Sequence, residues 1–319
     1  MTIATSSVIV VSHNNWPALD LAVASAIGQT RPPSEIIVVD NASTDGSPER
    51  ISAAFGSRIR VIRQENRLDS GGYNAGIAAS TGDVIQLLDG DDLLDPHKLE
   101  RQIAALDAVP DADIAYGDVT RFREDPSHDG WIDYESRQYD DVLLELCRTG
   151  GRAGGFVVHS LLFRRRVIEK VGRFDESIYG ADYDYWFRAA AAGCRFVHVP
   201  GALVFYRARP GQMSMNRAAM AARSARTFEK ALTFISREPC RAMLERHLQR
   251  FRLSLTLYGA TAAERRNALR ALRESRSSTP AVPALWIALG TCAVVAPEWA
   301  RNALRRVRPG ALADIVARG

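Results

Sequence analysis

The sequence predicts an α/β fold with a mostly parallel sheet flanked by helices. Three observations predict it. Short runs rich in β-branched residues recur along the first part of the chain, as in residues 7–12 (SVIVVS) and 35–40 (EIIVVD). Stretches with apolar residues at helical spacing separate them, the alternation expected of βαβ units. Several runs end in polar or acidic residues, and ligands of such sheets bind beyond the carboxyl ends of the strands.

The elements follow in order. Residues 7–12 read as a first strand. Asn15, Trp16 and Pro17 then supply an N-cap and an early proline, with Leu19, Val23, Ala26 and Ile27 at helical spacing. Residues 35–40 form the second strand, and Ser47-Pro48 opens another helix. Residues 59–63 (IRVIR) read as a third strand, 73–80 as a helix and 84–88 as a fourth strand. Asp95-Pro96 starts a helix with Leu99, Ile103 and Leu106 on one face. After about residue 115 the pattern is less regular, and 121–137 reads as an irregular loop. Residues 157–163 look like a strand and 164–171 like a short helix. Asp182 stands at the start of a helix containing Trp186 and Phe187, and 195–199 and 202–206 are strand-like. From about Asn216 the chain is helix-rich, with a linker at 275–283 (SRSSTPAVP). This predicts an α/β domain over 1–215 and a helical extension over 216–319.

Composition is that of a globular protein: 319 residues, 46% hydrophobic and 24% charged. Cys147, Cys194, Cys240 and Cys292 lack metal or redox spacing, which argues against a zinc site or disulfide framework and suits a reducing compartment. The first twelve residues have no basic segment ahead of an apolar one, so no signal peptide is expected. Residues 216–319 hold 19 Lys+Arg and 7 Asp+Glu, which leaves 22 of the chain's 41 basic and 30 of its 37 acidic residues to 1–215. An acidic body with an arginine-rich tail implies two parts with different partners.

The stretch LLDGDD, 87–92, places Asp89, Asp91 and Asp92 within four positions at the end of the fourth strand. Such like charge is tolerable if a divalent cation sits among the carboxylates, and Mg2+ or Mn2+ prefers such oxygens. The alternative is a solvated acidic turn. In an extended segment Asp89 and Asp91 share a face while Asp92 points away.

Four segments taken together, VSHNN (11–15), SEIIVVDNASTDGS (34–47), GGYNAGIAASTGDVIQLLDGDD (71–92) and FDESIYGADYDYWFRAAAAG (174–193), resemble the family 2 glycosyltransferases of the GT-A fold. The resemblance covers roughly residues 7–215 and implies a nucleotide-diphosphate sugar as donor and a carbohydrate or lipid-linked acceptor. By it, the ends of the first two strands hold the base and ribose. This points to Ser12, His13 and Asn14, with His13 where a tyrosine is more usual, and to Asp40. The family's D-x-D pattern matches Asp89-Gly90-Asp91. It implies that Asp89 contacts the ribose or donor sugar and that Asp91 ligates Mg2+ or Mn2+ at the diphosphate. Asn74 follows a Gly-rich stretch suited to an anion, and either touches the donor or fills a turn.

The resemblance also implies that Asp182 is the general base that deprotonates the acceptor hydroxyl; the plainer use of an aspartate there is as a helix cap. The family commonly has a glutamate where this chain has Ala181. It often has a histidine where this chain has Arg209, which either clamps diphosphate oxygens or belongs to a solvated basic loop. The other histidines, His97, His128, His159, His198 and His247, show no ligand spacing, and His159 reads as structural.

In the tail, 284–296 (ALWIALGTCAVVA) is too short for a membrane span, which needs about 20 residues. With Arg270, Arg273 and Arg276 before it and Arg301, Arg305, Arg306 and Arg308 after it, it suits either an anionic membrane surface or packing against protein. No nucleic-acid module is visible. The expected protein is a metal-dependent inverting enzyme of surface-polysaccharide assembly, cytoplasmic or peripheral on the inner membrane face. Rival readings are a nucleotidyltransferase, which lacks its Gly-rich basic loop here, and a non-catalytic scaffold on the same fold. A dehydrogenase is disfavoured because no G-x-G-x-x-G follows the first strand.

Overall fold

The structure is a computed structural model and describes residues 3–150, 156–178, 182–212, 215–259 and 261–278, with positions 287, 291 and 294. The chain packs as two units, Met1–Arg209 and Pro210–Gly319.

In the first unit, β1 (Ser6–Ser12) pairs in parallel with β2 (Glu35–Asn41) on one side and β4 (Val84–Asp89) on the other. β3 (Arg60–Gln64) continues the parallel run beyond β2. Both faces of β1 are covered, which is why it reads as an unbroken apolar run. Val8 and Val10 join a core with Leu19, Val23 and Ala26 of α1 (Ala18–Ile27) and with Leu99, Ile103 and Leu106 of α4 (Lys98–Ala108). Ile9 and Val11 face the opposite way, against α3 (Leu68–Ala79). That contact is close: a Cβ on Gly76 would stand 2.2 Å from Ile9 Cγ2, and one on Gly72 would stand 2.4 Å from Val11 Cγ1. The helix therefore starts five residues before the expected position 73 and takes in Gly71 and Gly72, which serve helix–sheet packing. α2 (Ser47–Phe55) opens at Ser47-Pro48 as expected, with Asp45 accepting from the Ser47 N–H at 3.0 Å.

Beyond β4 the pairing changes direction. β8 (Leu162–Arg164) is antiparallel to both β4 and β6 (Ile114–Phe122). β9 (Phe196–Arg207) runs parallel to β6 and antiparallel to β5 (Leu93–Leu94). β7 (Trp131–Tyr134) folds back on β6 after the short α5 (Pro126–Asp129). Among the described residues the sheet order is β3-β2-β1-β4-β8-β6-β9-β5.

Several expectations shift here. The region 121–137 is a strand, a capped turn and a return strand, not an irregular loop. Residues 157–163 are not one strand: Val158–Ser160 is a 3-10 turn whose carbonyls at 159 and 160 accept from the Gln86 and Gln102 amides at 2.9 Å each. The expected strands 195–199 and 202–206 are one strand, broken in register around Asp118, where Pro200 has no N–H and Gly201 adopts φ +102°.

Asp141 caps α6 (Val142–Thr149) by accepting from the Leu144 N–H at 2.9 Å. α7 (Arg166–Val171) precedes α8 (Asp182–Ala191), which buries Tyr185, Trp186 and Phe187. Phe174 stacks on Tyr185 with ring centroids 4.0 Å apart and lies 5.3 Å from Tyr73, so α8 is tied to α3.

The second unit holds α9 (Arg217–Phe234), α10 (Cys240–Tyr258) and α11 (Ala262–Ser278). Leu253, Leu257 and Leu272 cluster between helices, and Phe228 stacks on Phe251 at 5.5 Å. α11 runs into the expected linker, and residues 279–283 lie outside the described residues, as do most of the apolar segment 284–296 and the arginines after it.

Candidate active site

The strand register lines up the polar tips. Ser12 stands opposite Asp40, and Val11 opposite Asp89, so the ends of β2, β1 and β4 form one continuous edge. Two loops interlock there. The Asn14 N–H donates to Ser43 Oγ at 2.9 Å, and Asn14 Oδ1 accepts from the Thr44 N–H at 2.8 Å. Asn14 and Ala42 both hold positive φ, +52° and +61°, a region that asparagine adopts readily and alanine rarely. His13 Nδ1 lies 2.7 Å from the Asn41 carbonyl, which fixes Nδ1 as the protonated nitrogen. Asp40 is buried, accepts from the Ser43 N–H at 3.2 Å and meets Arg63 Nε at 3.4 Å.

At β4 the chain turns as soon as the strand ends. The Gly90 N–H donates to the Val11 carbonyl at 2.8 Å, and the Asp92 N–H reaches back to the Asp89 carbonyl at 3.1 Å. A Cβ on Gly90 would sit 3.0 Å from both Ser12 Cβ and the Val11 carbonyl oxygen, tight contacts that a larger residue could make only if β1 gave way slightly. The turn also ends the alternation that would have kept Asp89 and Asp91 on one face. Asp89 instead groups with Asp92 and His159, one donor atom from each lying within 4.8 Å of the others.

Asp91 points to Arg209, whose Nη2 is 2.9 Å from Asp91 Oδ2 and 3.1 Å from Asn15 Oδ1. Arg207, at the end of β9, braces the same turn: its N–H donates to Asp92 Oδ1 at 2.7 Å and its Nε to the Asp91 carbonyl at 2.8 Å. The departure from histidine at 209 thus places a guanidinium on the acidic loop.

Burial and the neighbouring Asp91 charge push the Asp89 carboxyl up to about 7, although Tyr73 donates its hydroxyl to Asp89 Oδ1. The same two causes, with Asp89 added, raise Asp92 well above the usual carboxylate range. Asp182, the first residue of α8, lies near enough for its charge to act on both Asp89 and Tyr73. The N-cap position lies among residues 179–181, as does Ala181, outside the described residues.

Asn74 does not face open space. Its amide donates to the Phe174 carbonyl at 3.0 Å and to Glu176 Oε1 at 2.9 Å, and its oxygen accepts from the Phe174 N–H. It thereby holds the segment leading to α8.

Spacing gave no sign of His159. The residue lies buried on the turn before β8, its Nδ1 3.3 Å from Asp92 Oδ2 but misaligned for a hydrogen bond. Asp92 Oδ2 and both ring nitrogens therefore have no hydrogen-bond partner among the described residues. Its ring stacks on Tyr206 at 5.5 Å. Burial, with Lys98 and Arg121 adding their charge, pushes the imidazole down to about 3, leaving it neutral and able to ligate. Asp69, in the first turn of α3, also acts electrostatically on Tyr73 and Asp89 and was not anticipated.

The family model described as glycosyl transferase family 2 matches residues 7–172. The chain belongs to this family. An uncharacterized glycosyltransferase of Nostoc sp. is 32% identical over 176 residues, 53% of each chain. The succinoglycan biosynthesis protein ExoO of Rhizobium meliloti is 32% identical over 223 residues, 65% of this chain and 61% of that one. The chain thus matches only about half to three fifths of the length of these curated relatives. Among solved structures, TarS 1–349 of S. aureus in complex with UDP superposes with TM-score 0.61 at 16% identity, covering 91% of this chain and 87% of that one. The mannosyltransferase PcManGT of Pyrobaculum calidifontis, in complex with GDP-Man and Mn2+, gives TM-score 0.58 at 19% identity, covering 91% and 84%. At these identities the likeness shows the fold, which is the GT-A type expected from the family 2 segments.

Proposed function

We propose that this family 2 chain binds a nucleotide-diphosphate sugar along the carboxyl edge of β2, β1 and β4 and transfers the sugar, with inversion, to an acceptor hydroxyl. The observation that carries the reading is the alignment of the β2, β1 and β4 tips, which sets Asp40, Ser12 and Asp89 along one edge. Asp182 opens α8 near enough for its charge to act on Asp89. TarS 1–349, also solved in complex with UDP-GlcNAc, and PcManGT in complex with GDP-Man support the donor class. The succinoglycan biosynthesis relative ExoO supports an acceptor in polysaccharide assembly, carbohydrate or lipid-linked.

Ser12, His13, Asn14 and Asp40 line the part assigned to the base and ribose. A ring face stacks on a base and a carboxylate accepts from N–H or O–H groups. Asp89, its carboxyl held by Tyr73, meets the ribose or donor sugar. Arg209, braced between Asn15 and Asp91, presents its guanidinium to the diphosphate. Asn74 acts through the 174–176 segment. Asp182 takes the proton of the acceptor hydroxyl as that oxygen attacks the anomeric carbon from the face opposite the diphosphate.

The donor set fits a divalent cation. Asp91 is the ligand proposed from the D-x-D pattern, and Asp89, Asp92 and His159 offer a second set of oxygen and nitrogen donors, of which Asp92 Oδ2 and the two His159 ring nitrogens lack hydrogen-bond partners among the described residues. When bound there, Mg2+ or Mn2+ supplies positive charge to the leaving diphosphate.

Residues 1–215 are proposed as the catalytic domain and 216–319 as a basic helical extension. Among the described residues no helix is long and apolar enough to cross a membrane. The arginines of the extension suit peripheral contact with the anionic inner face of the membrane.

The Asp182→Asn variant should bind donor normally and lose transfer by about 100-fold or more, the worth of a general base. Free nucleoside diphosphate should be the released product of the unmodified protein. Normal turnover by Asp182→Asn would remove the base assignment.

A further inference from the structure

Beneath the acidic turn lies a buried amine that the reaction does not use. Lys98, in the first turn of α4, is 0% exposed. Its Nζ donates to Gln86 Oε1 at 2.5 Å and also to Gln102 Oε1. Among the described residues no carboxylate is a hydrogen-bond partner of Lys98, and burial pushes its pKa well below the usual lysine value.

The two glutamines pass the constraint on. Gln86, on β4, donates its amide to the His159 carbonyl at 2.9 Å. Gln102, one turn along α4 from Lys98, donates to the Ser160 carbonyl at 2.9 Å. With their oxygens fixed by Lys98, both amides can only present N–H to the turn. That turn carries His159, whose opposite side is set by Tyr206 stacking and by Asp92 at 3.3 Å. A lysine buried without an ion-pair partner among the described residues is costly. Here it sets the orientation of two amides that hold one histidine.

We propose that Lys98, through Gln86 and Gln102, is a positioning residue that fixes the His159 ring against Asp89 and Asp92 and so sets the affinity of this group for a divalent cation. The proposal rests on the cation reading above, and two separate readouts keep them apart. The first is the ring nitrogen spectrum of His159 in protein labelled with 15N at histidine, assigned by loss of the signal in His159→Gln. The second is binding of Mn2+ alone, followed by paramagnetic resonance.

In Lys98→Met the His159 signals should shift and Mn2+ affinity should fall about tenfold or more, as for other residues that orient metal ligands. Asp113→Asn is the stability control. Asp113 holds Arg166, Lys170 and the Arg195 N–H at the opposite end of the sheet, and its loss should leave both readouts unchanged. Gln102→Glu covers the case in which Lys98→Met fails to fold. It keeps an oxygen for Lys98, removes the donor to Ser160, and should give the same shift. Unchanged His159 signals in whichever of these variants folds would overturn the proposal. Shifted signals without Mn2+ binding in the unmodified protein would leave the positioning intact and remove the cation reading.

Discussion

Asp91 answers to two cations, Arg209 at 2.9 Å and, in the proposed reaction, a divalent ion. This yields opposed expectations for two single substitutions. Asp91→Ala should abolish the Mn2+-dependent part of donor binding measured by calorimetry. If the Mn2+ enhancement survives, the ligand assignment moves to Asp89, Asp92 and His159. Arg209→Ala should instead keep the Mn2+ effect but weaken sugar-nucleotide binding about tenfold or more, the worth of a charge-assisted hydrogen bond to phosphate. Equal donor affinity in that variant would return Arg209 to a solvated basic loop. The residue scale also shows where local pattern ends. The alternation rule paired Asp89 with Asp91, but the Asp92 N–H closes a turn on the Asp89 carbonyl, and the carboxylates regroup.

At the scale of elements, α3 and β1 decide how tightly the donor edge is built. Gly76→Ala would push a Cβ to 2.2 Å from Ile9 Cγ2, and so should destabilise the fold by roughly 1–3 kcal/mol, as overpacked cores do. Thermal melting would detect the loss; an unchanged midpoint would mean that α3 moves away from the sheet at little cost. The four parallel strands were legible because strands buried on both faces read as apolar runs, and the βα alternation then fixed their direction. The half containing β6 to β9 was legible only in part. Its pattern shows β9 and α7 but splits β9 at Pro200-Gly201. It reads as a loop over 121–137, and as one strand over 157–163, where a 3-10 turn bonds to side-chain amides. Most proposed donor residues sat at strand tips and could be named from the sequence. His159 and Lys98 could not, because they meet the site through contacts between residues 86, 98, 102 and 159 that no local spacing encodes.

For the whole molecule, the proposed chemistry lies at the carboxyl edge of the sheet, and Asp113 gathers an ion-pair cluster at the other end. Burial would raise the Asp113 carboxyl, but hydrogen bonds from the Arg195 N–H, Arg166 and Lys170 outweigh it and hold it below the usual range. A lowered folded-state value means stability that is present above the unfolded value, about 4, and lost as pH falls through the folded one. Asp113→Asn should therefore cost about 1–3 kcal/mol near neutrality, with the gap to the unmodified protein narrowing below about pH 4. A gap that stays constant with pH in chemical denaturation would show that Asp113 acts without its charge. The central claim concerns the other edge, and calorimetric titration of the intact chain with UDP- and GDP-sugars, with and without Mn2+, tests it most directly. The account predicts saturable binding of at least one sugar nucleotide, tightened by Mn2+. Absence of binding by every sugar nucleotide under both conditions would contradict it.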